Sequence, residues 1–146
     1  MADLTNNFEV GTDPVAAQLA AAGVQPTAQR LEIARVLLER PRHLSADQLS
    51  AILLKQGTRV SKATVYNTLK LLCAKNLIKS VIVDPNRVFY DSTTGAHHHF
   101  YNVDSGELTD IPAEQVRFAG LPDLPEGTVR EGVDVIVRVR SGARTG

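Results

Sequence analysis

The chain has 146 residues, 43% of them hydrophobic, and its 16 basic and 16 acidic side chains cancel at neutral pH. That length allows one or two domains with packed cores, which must be largely aliphatic because tryptophan is absent. The single cysteine excludes an internal disulfide framework and a cysteine-built zinc cage, and no apolar run approaches the roughly 18 residues of a membrane span. The first residues lack a basic region followed by an apolar run, so no signal peptide is expected and the chain reads as soluble and cytoplasmic.

The zero net charge conceals an asymmetry. Residues 1–90 carry 11 Lys and Arg against 7 Asp and Glu, a net of +4, whereas residues 91–146 carry 5 against 9, a net of −4. Between positions 55 and 87, seven basic side chains meet Asp84 as the only acid. A basic module joined to a neutralising one fits a nucleic-acid partner for the first half, although a solvated helix face would carry the same lysines.

In chain order, residues 1–12 are polar and expected to be loose. Asp13-Pro14 reads as a helix start and Gly23 as its stop. Thr27 caps a second helix, which carries Leu31, Ala34 and Leu38 on one side and ends before Pro41. Ser45-Ala-Asp-Gln48 is a capping box for a third helix, stopped by Gly57. Ser61 opens a fourth, running to Cys73, and the cysteine reads as a small core residue. At 100° per residue, Val65, Leu69 and Leu72 of this fourth helix share one face. Lys62, Tyr66, Asn67 and Lys70 fall on the other, where their phenol, amide and ammonium groups can reach base edges and phosphates in a major groove. The short turn between the third and fourth helices is that of a helix-turn-helix. A hairpin follows, Leu77–Val83 and Arg87–Asp91 about the turn Asp84-Pro-Asn86. Helices followed by such a hairpin make a winged helix.

Ser92–Ala96 reads as a polar hinge. The expected fold class is α+β, with a winged-helix DNA-binding domain over residues 1–92 and an α/β dimerisation and metal-sensing domain over 93–146. In the second part, His97–Val103 and Glu107–Ile111 read as strands about the turn Asp104-Ser-Gly106. Pro112–Phe118 reads as a short helix and Glu131–Arg140 as a last strand. So small a sheet buries little by itself, which implies pairing with a second copy. A two-fold homodimer would also suit paired half-sites on double-stranded DNA.

Three of the four histidines are consecutive, at His97, His98 and His99. On a strand, His97 and His99 point one way and His98 the other. Two imidazoles on one face can hold a divalent cation, and Asp91 and Asp110 could add oxygen ligands. Such a nitrogen and oxygen set suits Fe(II), Mn(II) or Zn(II).

Three segments carry a resemblance. Gly23-Val-Gln-Pro-Thr-Ala-Gln-Arg30, Ala63-Thr-Val-Tyr-Asn-Thr-Leu69, and His97-His-His99 with Gly106 and Asp110 resemble the second helix, recognition helix and sensory strands of the Fur superfamily of metal-responsive transcription regulators. The resemblance runs from about Val15 to Arg140. It implies a repressor, not an enzyme, whose regulatory metal is held by His43, Asp91, His97, His99 and Asp110. It further implies DNA contacts by Tyr66, with Lys62, Thr64, Asn67 and Lys70 placed to join it. In that reading Fe(II) or Mn(II) is the cofactor, with Zn(II) a possible occupant. One cation bridging the two halves would set the angle between them, and the signal would be peroxide or iron. The family's Cys-x-x-Cys, which holds a structural zinc, falls here on Asn102 and Ser105, so that zinc is expected to be absent. This departure and the His97–His99 run resemble the haem-linked iron regulators and the cysteine-poor peroxide regulators. Two alternatives follow: a haem-responsive regulator using the His97–His99 run, although Cys73 precedes Ala74 rather than proline, and a zinc metallohydrolase, for which no general base or nucleophile is evident.

Overall fold

A computed structural model of the chain describes residues 13–142, and the loose start expected for 1–12 lies outside them. The chain divides after Thr94 into two compact units.

The first unit holds four helices and a three-stranded sheet: α1 Pro14–Ala21, α2 Ala28–Leu38, β1 His43–Ser45, α3 Ala46–Lys55, α4 Lys62–Ala74, β2 Lys79–Asp84 and β3 Arg87–Asp91. Each helix starts where its capping side chain dictates. The Asp13 carboxylate accepts the Val15 and Ala16 N–H groups at 3.0 and 3.3 Å, and it also pairs with Arg35 of α2. Ser45 and Gln48 satisfy each other's backbone amides, completing the capping box of α3. Ser61 caps α4 through the Thr64 N–H at 3.1 Å.

Three of the helices end in the same way. After α1, α3 and α4 the chain enters the left-handed region at Gly23, Gly57 and Asn76, with φ of 78°, 79° and 58°. Each time the next residue's N–H reaches back to the carbonyl five residues earlier: Val24 to Leu19, Thr58 to Leu53, Leu77 to Leu72. This closure satisfies carbonyls that the helix end would leave open. Asparagine serves in the third case because its short amide side chain tolerates left-handed backbone.

The core lies between the helices. Leu19, Ile33, Leu37, Leu49, Leu53, Val65, Leu69 and Leu72 are all buried in it, with Leu44 and Ile78 from the sheet side. Cys73 is half-buried against this cluster, and burial pushes its thiol above the ordinary range. Because the thiolate is the nucleophile, Cys73 should react with iodoacetamide at pH 8 more slowly in the folded protein than in urea. Equal rates in the two conditions would contradict this packing.

The sheet order is β1-β3-β2, antiparallel throughout. Strand β1 is three residues long and was not anticipated from the sequence. It forms because the chain before the α3 capping box is extended and lies beside β3, pairing His43 with Asp91, Leu44 with Tyr90 and Ser45 with Phe89.

The second unit is a three-stranded sheet in the order β5-β4-β6. Strand β4 spans His97–Asn102, β5 Leu108–Pro112 and β6 Ile136–Val139. After β5 the chain is back at the His97 end, so β6 enters from there and runs parallel to β4. Two expectations need correction. The helix expected at Pro112–Phe118 is only a 3-10 turn, Ala113–Gln115, because the backbone is already extended at Val116. The last strand is Ile136–Val139 rather than Glu131–Arg140, since β4 offers partners only from His99 to Asn102. Among the described residues, no helix is long and apolar enough to cross a membrane.

Candidate metal centre

The strand period decides which histidines meet. His97 and His99 share one face of β4, with ring centroids 4.5 Å apart, and both are buried. Asp110 of β5 is the register partner of His99, and directly opposed residues of an antiparallel pair share a face. Its Oδ1 therefore lies 3.4 Å from His99 Nε2 and 3.8 Å from His97 Nε2.

These spacings suit a shared cation. Donors about 2.0–2.2 Å from one ion stand roughly 2.8–3.6 Å apart at octahedral or tetrahedral angles, which the His99–Asp110 pair meets and the His97–Asp110 pair, at 3.8 Å, exceeds slightly. Donor atoms of His97, His99 and Asp110 lie within 4.8 Å of one another. The surroundings also fix a tautomer. His97 Nδ1 is 2.8 Å from the Gly95 carbonyl oxygen, which can only accept, so Nδ1 carries a proton and, in the neutral ring, Nε2 keeps the lone pair. A second hydrogen bond of this kind is how ligand imidazoles are oriented. Sequence reasoning missed Gly95, since a backbone carbonyl leaves no signature in residue identity.

His98 faces the other way. Its Nδ1 accepts the Val135 N–H at 3.0 Å, and its ring stands edge-on to Phe118 at 5.9 Å. The consecutive run thus splits into two imidazoles on one face of β4 and a third engaged on the other. That division of labour does not favour the haem reading.

In the first unit, His43 and Asp91 are register partners on β1 and β3, so their side chains also share a face. Asp91 is buried, and its Oδ1 accepts the Thr93 N–H at 2.8 Å. His43 stands edge-on to the Phe89 ring.

On α4, Val65, Leu69 and Leu72 are buried, while Lys62, Tyr66, Asn67 and Lys70 are exposed. Thr64 is half-buried, and its Oγ1 accepts the Ser61 hydroxyl at 2.9 Å. The polar face expected of a recognition helix is therefore presented to solvent.

A helix-turn-helix with a wing, followed by a strand pair bearing a His and Asp cluster that could hold an ion, is the frame of a DNA-binding regulator. Residues 21–119 match the ferric uptake regulator family, and the chain belongs to that family. Over 100 residues it is 29% identical to the peroxide-responsive repressor PerR of Staphylococcus aureus, covering 68% of each chain. It superposes on the ferric uptake regulator of Pseudomonas aeruginosa with manganese at a TM-score of 0.65, with 26% identity over 90% of this chain and 100% of that one. The ferric uptake regulator of Francisella tularensis with iron, at 20% identity and a TM-score of 0.64, covers 82% of this chain and 92% of its own, and speaks for the fold. Family members are regulators rather than enzymes, so the metallohydrolase reading is not favoured; by its family this chain is a metal-responsive transcriptional regulator, and it carries a His and Asp cluster that could hold an ion.

Proposed function

We propose that the chain is a repressor whose hold on operator DNA is set by one divalent cation, bound by His97, His99 and Asp110 of the second unit together with His43 and Asp91 of the first. The observation that carries this reading is the convergence of two imidazoles and a carboxylate on one face of the β4–β5 pair. The register pairing of His43 with Asp91 supports it, because the two remaining donors then stand side by side on one sheet. Fe(II) and Mn(II) suit this set, with Zn(II) as a competitor. The likeness to the peroxide-responsive repressor of S. aureus supports peroxide as the signal, with iron the alternative.

When bound, the cation supplies a positive centre that holds donors of both units at once. The chain's own residues do the rest. His97 is held in its donor tautomer by Gly95, and Asp110 is held opposite His99 by strand register. A coupling of about 1–3 kcal/mol changes DNA affinity roughly 5- to 150-fold. Tyr66, Asn67 and Thr64 then meet bases or their sugar edges, and Lys62 and Lys70 meet phosphates.

A homodimer presents two recognition helices to the two halves of an operator. The exposed Phe100, Phe118, Leu121, Leu124 and Val137 of the second unit support that assembly, since a sheet this small leaves apolar surface to cover. The domains proposed are a DNA-binding domain over 1–92 and a dimerisation and sensing domain over 93–146, in the cytoplasm where the DNA is.

Operators can be selected from a random duplex pool and their affinity measured by fluorescence anisotropy with and without Mn(II). The reading expects a difference of at least about fivefold, and equal affinities would overturn it. Lys62→Ala and Lys70→Ala should each reduce the slope of log affinity against log salt by about one. An unchanged slope would remove those lysines from the phosphate contacts.

A further inference from the structure

Strand β6 is four residues long, lies at the edge of its sheet, and among the described residues pairs with β4 alone. The twenty residues before it, 116–135, contain no helix or strand. A short parallel edge strand at the end of so long a connection gains from contacts that hold it in register. Side chains of the β4 strand and the turn after it supply the hold.

At the near end, His98 Nδ1 accepts the Val135 N–H, while the His99 N–H donates to the Val135 carbonyl at 3.1 Å. At the far end, Asp104 Oδ2 accepts the Ser141 N–H at 3.0 Å and Asn102 Nδ2 reaches Ser141 Oγ at 3.5 Å. The Val103 N–H donates to the Val139 carbonyl at 2.9 Å. The turn that carries these groups is itself rigid. Asn102 Oδ1 accepts the Asp104 and Ser105 N–H groups at 2.9 and 3.1 Å, and Ser105 Oγ accepts the Glu107 N–H at 3.2 Å. Asn102 and Ser105 are the positions where the family resemblance expects zinc-binding cysteines. Here their oxygens are engaged by backbone amides.

We propose that Asn102, Asp104 and Ser141 form a metal-independent clasp that fixes β6 on β4 and so positions His99, which lies between the two pinned ends, for the cation. The clasp needs no ion and no thiol. Asn102 locks the turn, the turn aims Asp104, and Asp104 catches the backbone just beyond β6. The second unit should therefore keep its sheet when every metal is stripped, and a chelator should empty the regulatory site without loosening β6. The clasp rests on hydrogen bonds alone and stands whether or not DNA binding responds to metal.

The test is amide hydrogen exchange at Val103, His99 and Ser141, combined with Mn(II) titration. In wild type, EDTA should leave exchange at these amides unchanged. Asn102→Ala with Asp104→Ala should raise exchange at Val103 and Ser141 roughly tenfold, leave the α1–α4 amides untouched, and weaken Mn(II) binding several-fold. Asp104→Asn, which keeps an acceptor oxygen, should restore much of both. Truncation after Arg140 removes Ser141 without touching the turn, and should free Val103 in the same way if the double variant does not fold. Unchanged protection in the truncated chain, or β6 freed by EDTA alone in wild type, would overturn the clasp.

Discussion

Replacing His99 with alanine should lower Mn(II) affinity by at least about a hundredfold, since even the partners that orient metal ligands cost 10- to 100-fold when lost. His99 is the residue on which the cluster turns. It is 1% exposed, its Nε2 lies within 3.4 Å of Asp110 Oδ1, and its ring stands against that of His97. Its removal takes one donor from the face that His97 and Asp110 share. His98→Ala is the matched control, because His98 lies on the opposite face and bonds Val135 instead. That variant should loosen the start of β6 and lose no more than the several-fold Mn(II) affinity expected of a loosened β6, far short of the loss at His99. Calorimetric titration with Mn(II), alongside circular dichroism to confirm that the helices persist, separates the two. Equal losses in both variants would mean that the histidines act through the strand's stability and not as ligands.

Leu69→Ala should destabilise the first unit by about 3–5 kcal/mol. Leu69 is fully buried in the cluster that gathers α1, α2, α3 and α4, and its loss leaves a cavity lined by side chains from several helices. Its neighbours on the same helix, Tyr66, Asn67 and Lys70, are exposed, so the substitution leaves the DNA-facing groups in place while removing what seats them. DNA affinity at temperatures where the variant is still folded should therefore stay close to wild type and then vanish at a lower melting point. Leu54→Ala is the contrast: Leu54 is 67% exposed and should change stability by less than about 0.5 kcal/mol. Urea denaturation followed by circular dichroism measures both. A cost below about 1 kcal/mol at Leu69 would contradict the packing described.

The first unit was the more legible of the two in the sequence, for a physical reason. Its helices carry strong local signals: Asp13, Thr27, Ser45 and Ser61 cap, Gly23 and Gly57 terminate, and each did so where the residues said. The α4 faces also followed from helical period alone. Strand β1 was not legible, because three extended residues gain their identity only from pairing with β3, about fifty positions away in the chain. That pairing, which sets His43 beside Asp91, is long-range information.

The second unit mixes both cases. Alternation along β4 separated His97 and His99 from His98 without any tertiary knowledge, and the structure places their side chains accordingly. Asp110 could be offered in advance as an added oxygen ligand, but its opposition to His99 depends on hairpin register. The extent of β6 was overread, since alternating valines continue beyond the point where β4 offers a partner. The helix expected after β5 failed because Pro112 starts a helix well but nothing beyond Gln115 continues it. Ser105 was legible as part of a turn and Asn102 only as a missing cysteine; the hydrogen bonds by which they hold that turn depend on its three-dimensional closure.

The most direct test of the bridging cation is the metal-linked change in operator affinity of Asp91→Ala beside that of His99→Ala. Asp91 belongs to the first unit and His99 to the second. If one ion is held by both, each substitution should abolish the Mn(II)-dependent change while leaving the metal-free affinity within about twofold of wild type. If Asp91→Ala keeps the full change and His99→Ala loses it, the cation is held by the second unit alone, and bridging is not how this protein reports metal to DNA.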